Sequence, residues 1–229
     1  MEIILKGDLG MSNIHITKKS LIHWILGLLC NGLGICIGTK AGLGLSMIAA
    51  TPYIISLWGG RFFSWLTQGK AEYVWEAILL ILLCLVIRRF RWRYLLSFLT
   101  AVILGYVIDA WYLILGGNAV YVTMGGRVLG LVMGMLITSL GVAFFFRTDM
   151  PLEVYELAVI EITDRFGLEQ SRVKWCFDMF LLLLDLLLAF IVSHSLCGIG
   201  IGTVIITLFN APVISFIGKL IDKAEEKLF

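Results

Sequence analysis

The chain has 229 residues, of which 60% are hydrophobic and 15% charged, and its net charge is +2. So large an apolar share excludes a water-soluble globular domain, because one core of this size cannot hide that much apolar surface from water. The small net charge gives no sign of nucleic-acid binding, and the five cysteines lack the spacing of a metal site or a redox pair.

Six segments are long and apolar enough to cross a bilayer, which takes about 20 residues of helix. They lie at residues 20–39, 72–88, 94–115, 127–146, 173–194 and 199–220. Two further helices fit poorly as spans. Segment 45–58 is short and contains Pro52, which indicates an interfacial or re-entrant helix. Segment 152–167 has an apolar stripe and several acids, which is typical of a helix at the membrane surface or against the bundle.

The basic residues predict the orientation of the chain, because cytoplasmic loops of membrane proteins carry an excess of Lys and Arg. With the N-terminus inside and six spans, 14 of the 18 Lys and Arg residues fall on the cytoplasmic side. The outer side keeps only Lys40, Arg61, Lys70 and Arg127. We therefore expect both termini in the cytoplasm, with RRFRWR (88–93) as a short inner loop.

The two halves of the sequence resemble each other at an offset of 107 residues, which aligns Gly27 with Gly134 and Gly34 with Gly141. Each half has a glycine-bearing span, a basic residue, a non-spanning helix and two more spans, and the offset shrinks slightly towards its end. Three spans is an odd number, so the second half enters the membrane from the opposite side. Secondary transporters often use such repeats, and channels and scaffolds also arise by duplication.

The predicted fold class is therefore all-α. The chain is expected to form a polytopic bundle of six transmembrane helices, arranged as two inverted-topology repeats that each carry one non-spanning helix. The expected divisions are an N-terminal cytoplasmic segment 1–19, repeat one 20–115, an outer linker 116–126, repeat two 127–220 and a cytoplasmic tail 221–229.

Glycine recurs every four residues at 34, 38 and 42 in the first span and at 126, 130 and 134 in the fourth. In lipid, helices associate by close van der Waals packing, which small residues at this spacing allow. The pattern predicts close helix crossings rather than a nucleotide site.

Polar residues inside the apolar spans are the candidates for function. Asp185 lies near the middle of span five, where a charge costs about 2.5–3.5 kcal/mol, so its presence calls for an explanation. Asn31, Thr138 and Asn210 lie at about the same depth. These four residues predict either a substrate- or ion-binding site in a shared cavity or a structural hydrogen-bond network.

Three further acids, Glu76, Asp109 and Asp178, are candidates for a gate or relay. The sequence contains no nucleophile motif and no cluster of metal ligands. We therefore expect no enzymatic activity, no catalytic residue, no metal and no cofactor.

Several motifs resemble the YczE/YyaS/YitT group of bacterial integral membrane proteins. GIGTVIITLFNAPVISFI (200–217) is similar to that family's GxGTxxxAxxxGPxI element, and RVKWCFDMFLLLLDLLLAF (172–190) places Asp178 at its intramembrane Asp. GLGICIGTKAGLGLS (32–46) is similar to its opening element. The acidic motifs depart, since GLSMIAATP (44–52) has no acid and PLEVYEL (151–157) offers Glu156 as the nearest counterpart. The resemblance implies a multi-pass bacterial plasma-membrane protein without a settled activity.

Two hypotheses of function follow. The first is a small secondary transporter, or a substrate-binding membrane component, with a midplane site for a small solute or cation. The second is a non-transporting regulator or assembly partner that acts through its cytoplasmic face, which includes helix 152–167, RRFRWR and the tail IDKAEEKLF (221–229). Either protein works in a lipid bilayer, without nucleic acid, and a homodimer is plausible for both.

Overall fold

The computed structural model describes residues 3–4, 15–117, 119–193 and 198–226, so Cys197 and parts of both terminal segments lie outside the described residues. The described chain is a helical bundle. Its helices are α1 (Lys18–Ala41), α2 (Met47–Gly59), α3 (Gln68–Ile87), α4 (Arg93–Ile114), α5 (Met124–Phe145), α6 (Val154–Phe166), α7 (Gln170–Ser193) and α8 (Ile201–Glu225). Two short strands, β1 (Ile3–Ile4) and β2 (His15–Ile16), pair antiparallel before α1.

Within the described residues, four helices are long and apolar enough to cross a membrane: α1, α4, α5 and α8. Each coincides with a predicted span. The remaining two predicted spans correspond to α3 and α7, of 20 and 24 residues. The first turns of α3 carry Lys70, Glu72 and Glu76, which lower its apolar character. The bundle is thus compatible with a multi-pass membrane protein, and the count of six spans remains a prediction.

The centre of the bundle is the antiparallel pair α1 and α5, which meet at glycines. A Cβ added at Gly34 would lie 2.5 Å from the amide nitrogen of Thr138 and 2.8 Å from the carbonyl oxygen of Gly134. A Cβ added at Gly141 would lie 2.5 Å from the amide nitrogen of Asn31 and 2.9 Å from the carbonyl oxygen of Gly27. The two backbones therefore touch directly, as the glycine spacing predicts.

The other helices surround this pair in two groups. On one side α4 packs against α1, and α3 packs against α4, α2 and α6. On the other side α8 packs against α5, while α7 packs against α2 and α6. Among the described residues α7 and α8 do not pack closely against each other, whereas α3 and α4 do.

Ion pairs and hydrogen bonds define one end of the bundle, here called the basic end. Lys19 at the start of α1 bonds Glu225 at the end of α8, with 2.7 Å between Nζ and Oε2. Arg91, between α3 and α4, bonds Glu161 of α6 at 3.0 Å. Segments 42–46, 60–67, 115–117, 119–123 and 198–200 lie towards the opposite end.

Helices α2 and α6 begin inside the bundle instead of at its surface. Ser46 caps α2, which runs through Pro52 without a break and buries Thr51 and Ile54. Glu153 is the residue before α6, its side chain makes no capping hydrogen bond, and its carboxylate accepts a hydrogen bond from Asn31 in the middle of α1. The first turns of α6 are therefore buried, and of the two expected positions for this helix the structure has the one against the bundle.

Substituting a glycine in the α1–α5 contact should destabilise the fold. We expect Gly34→Ala to lower the free energy of unfolding by about 1–3 kcal/mol, because its methyl group meets backbone atoms that cannot move aside. Gly125→Ala at the start of α5 is the matched control, since its methyl group meets nothing within 4 Å. Thermal unfolding in detergent measures both, and equal melting temperatures would contradict the prediction.

Candidate functional site

A cavity of about 680 Å³ opens at the basic end of the bundle. Its walls are α5, α6, α7 and α8, and the first residues of α2 form its inner end. The lining is mostly apolar, with a small number of polar and charged side chains. This size and composition are typical of binding sites for small molecules.

The inner end of the cavity presents the N-terminus of α2, where Ser46, Met47 and Ile48 line the wall. Helix N-termini carry a partial positive charge and free N–H groups. Because Pro52 has no N–H, the carbonyl group of Ile48 lacks its usual partner within the helix. Asn210 of α8 also lines the cavity, and its Oδ1 accepts a hydrogen bond from Ser139 at 2.8 Å.

The mouth of the cavity carries charges of both signs. Arg147 makes a two-pronged ion pair with Asp222, with both nitrogen–oxygen distances at 2.6 Å. Across the mouth, the Tyr155 hydroxyl donates to Asp178, and Lys174 lies 3.0 Å from the Tyr155 oxygen. Arg147 and Lys174 at the mouth are therefore each close to an acid, while the cavity lining as a whole is mostly apolar.

Hydrogen bonds between loops close the cavity towards the opposite end. The amide of Leu45 donates to the carbonyl of Gly198 at 2.9 Å, and the amide of Gly202 donates to the carbonyl of Leu43 at 2.8 Å. Gly44 has a φ of 119°, which suits glycine, and a Cβ there would lie 2.8 Å from the amide nitrogen of Thr203. The chain before α2 and the start of α8 therefore form one sealed layer.

A second close contact lies between α3 and α4. Gly69 and Gly105 bring the two backbones into direct contact. Asp109 accepts hydrogen bonds from the Gly69 amide at 3.0 Å and the Thr67 hydroxyl at 2.6 Å. Three residues after Asp109 on α4, the Tyr112 hydroxyl donates a hydrogen bond to the side-chain oxygen of Gln68. Asp109, a predicted gate residue, thus joins the first residues of α3 to α4.

Asp185 is fully buried at 0% exposure, and its Oδ1 accepts a hydrogen bond from Thr51 of α2. Its Oδ2 has no hydrogen-bond partner among the described residues. Asp185 does not line the cavity. It contacts the site through α2, because Thr51 lies one helical turn after Met47.

The structure does not bring the four predicted binding residues into one site. Asn210 lies in the cavity, and Asp185 bonds Thr51. Asn31 donates to Glu153 at 3.0 Å, and Thr138 lies at the crossing of α1 and α5. Each of the four therefore faces a different neighbour in this conformation.

The other two predicted gate or relay residues also take specific positions. Glu76 is 1% exposed, and its Oε2 accepts a hydrogen bond from the amide of Val154 at 2.6 Å. Asp178 lines the cavity beside Tyr155. Both acids therefore lie near the start of α6.

Sequence reasoning missed the buried acids Glu72 and Glu153, and it left Glu156 without a partner. Glu72 is 2% and Glu153 6% exposed. A signal existed, since Glu72 and Glu76 share one face of α3 by their spacing of four. The pattern of helix 152–167 places its acids away from the apolar stripe, but it does not predict their contact with α3.

The hydrogen bond between Thr51 and Asp185 should stabilise the fold. We expect Thr51→Val to lower the free energy of unfolding by about 1–3 kcal/mol, because the buried carboxyl group then loses the one hydrogen-bond partner it has among the described residues. Thr207→Val is the control, since its hydroxyl bonds only the Thr203 carbonyl of its own helix. If both variants unfold at the same temperature, the bond contributes nothing.

Comparison with known proteins places the chain in one family. The family model DUF6198, described as a family of unknown function, matches residues 18–219. No curated protein matches the chain, and no solved structure does.

Proposed function

The chain belongs to DUF6198, a family of unknown function, and we propose that it is a small secondary transporter that moves a small solute by alternating access. The observation that carries this proposal is the cavity, which is open at one end of the bundle and sealed at the other. We also propose kinship between this family and the YczE/YyaS/YitT group, on the motifs in the first and last helices.

The proposed architecture has six spans in two inverted repeats, 20–115 and 127–220. Contacts between α1 and α5 support it. The neighbours of Gly34 are Thr138 and Gly134, and the neighbours of Gly141 are Asn31 and Gly27. Adding the 107-residue offset to Gly34 gives Gly141, and subtracting it from Thr138 gives Asn31. The contact of Gly34 with Thr138 therefore corresponds to the contact of Gly141 with Asn31. A two-fold relation between antiparallel halves produces this kind of exchange.

The two halves differ in one respect that matters for transport. In the proposed pair of repeats, α3 corresponds to α7 and α4 corresponds to α8. In the first half the helices meet closely at Gly69 and Gly105, and in the second half they stand apart around the cavity. In inverted repeats the opposite state arises when the halves exchange conformations. The alternate state would then join α7 to α8 and part α3 from α4.

Helix α8 has a feature that favours such a movement. Pro212 lies within α8 and removes one backbone hydrogen bond there, which makes the helix easier to bend. The part of α8 after Pro212 lines the mouth with Ile214 and Ser215, and the part before it is tied to Leu43. Bending at Pro212 would close the mouth while the sealed layer stays in place.

We place the solute at the inner end of the cavity, between the N-terminus of α2 and Asn210. The mostly apolar wall favours a small solute with an apolar body, and Ser46 and Asn210 supply the polar contacts. Asp185 acts on this site through Thr51, which holds α2 in position. The distribution of Lys and Arg favours a mouth that faces the cytoplasm of a bacterium, with both termini on that side.

Thiol labelling in oriented vesicles tests the proposal. At the slightly smaller offset of 106 residues, which also pairs Ser97 with Thr203, Ile108 of α4 corresponds to Ile214 of α8. Ile214 lines the cavity, whereas Ile108 is 0% exposed. In a chain without native cysteines, we expect a membrane-impermeant maleimide to modify Ile214→Cys from the cytoplasmic face. We expect Ile108→Cys to react more slowly, and from the outer face, because only the minor outward state exposes it.

Two outcomes would contradict the proposal. If Ile214→Cys reacts from neither face, the cavity holds lipid instead of water. If Ile108→Cys reacts from neither face while Ile214→Cys reacts, the cavity does not alternate, and the regulator hypothesis gains. That hypothesis also expects charge reversal at the exposed residues Asp164 and Arg165 to abolish the biological effect.

A further inference from the structure

Four glutamates from two helices meet where α6 begins inside the bundle, and they are here called the carboxyl cluster: Glu72, Glu76, Glu153 and Glu156. Glu76 accepts the amide hydrogen of Val154, and Glu153 accepts a hydrogen bond from Asn31. The carboxyl groups are close enough to interact electrostatically, Glu72 with Glu153 and Glu76 with Glu156.

Glu72 shows that these hydrogen bonds do not satisfy the cluster. Glu72 is only 2% exposed, and its Oε2 has no hydrogen-bond partner among the described residues. An oxygen that is buried and unpartnered costs free energy, and an ionised one costs far more. Glu153 is the acid that acts on Glu72 electrostatically, so a donor between the two carboxyl groups would satisfy this oxygen.

Basic side chains do not neutralise the cluster. Within the described part of the chain, no Lys, Arg or His forms an ion pair with any of its four members. On α7, Lys174 and Asp178 act electrostatically on Glu156. From the α3–α4 turn, Arg91 bonds Glu161 near the far end of α6, where Tyr94 of α4 also lies.

We propose that the carboxyl cluster is a proton-binding site that exchanges protons with the cavity through Glu156. A proton on Glu72 or Glu153 supplies the missing donor between the two carboxyl groups and removes one negative charge from the interior. Glu156 is the exit because it belongs to the cluster and also lines the cavity.

The geometry favours a proton over a metal cation. The amides of Asn31 and Val154 point N–H groups at the carboxylates, and the N-terminus of α6 adds a partial positive charge. Such donors suit a carboxylate or a neutral carboxyl group and repel a cation. Among the described residues, no group of three or more acids, His or Cys is arranged to hold a metal ion.

Infrared spectroscopy of the purified protein in nanodiscs tests proton binding directly. We expect the wild type to have a protonated-carboxyl band at neutral pH, and Glu72→Gln to lose part of that band. Gln resembles a protonated Glu in shape, so the variant should fold. Glu161→Gln is the matched control, because this acid is ion-paired with Arg91 and should leave the band unchanged. No band, or a band that sodium ions displace, would overturn the proposal.

Exchange into heavy water tests the route. We expect the Glu72 part of the band to shift on transfer of the wild type to heavy water, and to shift at least tenfold more slowly in Glu156→Gln. An equal rate in that variant would overturn the role of Glu156. Proton exchange with the cavity rests on the proposed function, whereas the protonated-carboxyl band does not depend on it. A band in a protein whose Ile214→Cys stays unlabelled would therefore refute transport and leave proton binding intact.

Discussion

The direct backbone contact between α1 and α5 is the constraint on which the rest of the structure depends. Helices in lipid gain no hydrophobic stabilisation from meeting, so they hold together where small residues allow backbones to touch. Gly34 and Gly141 meet this requirement at two related points. With the two central helices fixed in this way, α4 and α8 take positions beside them, and α2 and α6 can begin within the bundle.

Short helices that begin inside a bundle create a chemical problem, because their first N–H groups are far from water. The first N–H groups of α6 and of α2 are accommodated in different ways. At α6 the carboxylate of Glu76 accepts the amide hydrogen of Val154. At α2 Ser46 caps the helix, and its first residues line the cavity. The start of α6 is therefore covered by a side chain of α3, whereas the start of α2 faces the cavity.

Much of this architecture is predictable from sequence, because it depends on local patterns. Apolar segments locate α1, α4, α5 and α8, and the spacing of glycines locates the α1–α5 contact. Contacts between distant segments are not predictable in this way. The periodicity of helix 152–167 separates its acids from its apolar stripe, but periodicity does not say whether the acids meet water or Glu72. The sequence does not predict the hydrogen bond from Thr51 to Asp185 either, because the two residues lie 134 positions apart.

In the proposed transporter, opening at one end of the bundle is coupled to closure at the other. Spin labels at Lys174 and Lys219 report the width of the mouth, and labels at Lys70 and Leu113 report the α3–α4 contact. In Gly105→Leu the larger side chain forces α3 and α4 apart, because Gly105 touches Gly69 directly. Distances measured by pulsed electron resonance should then increase for the second pair and decrease for the first. A mouth of unchanged width beside a widened α3–α4 contact would contradict the claim.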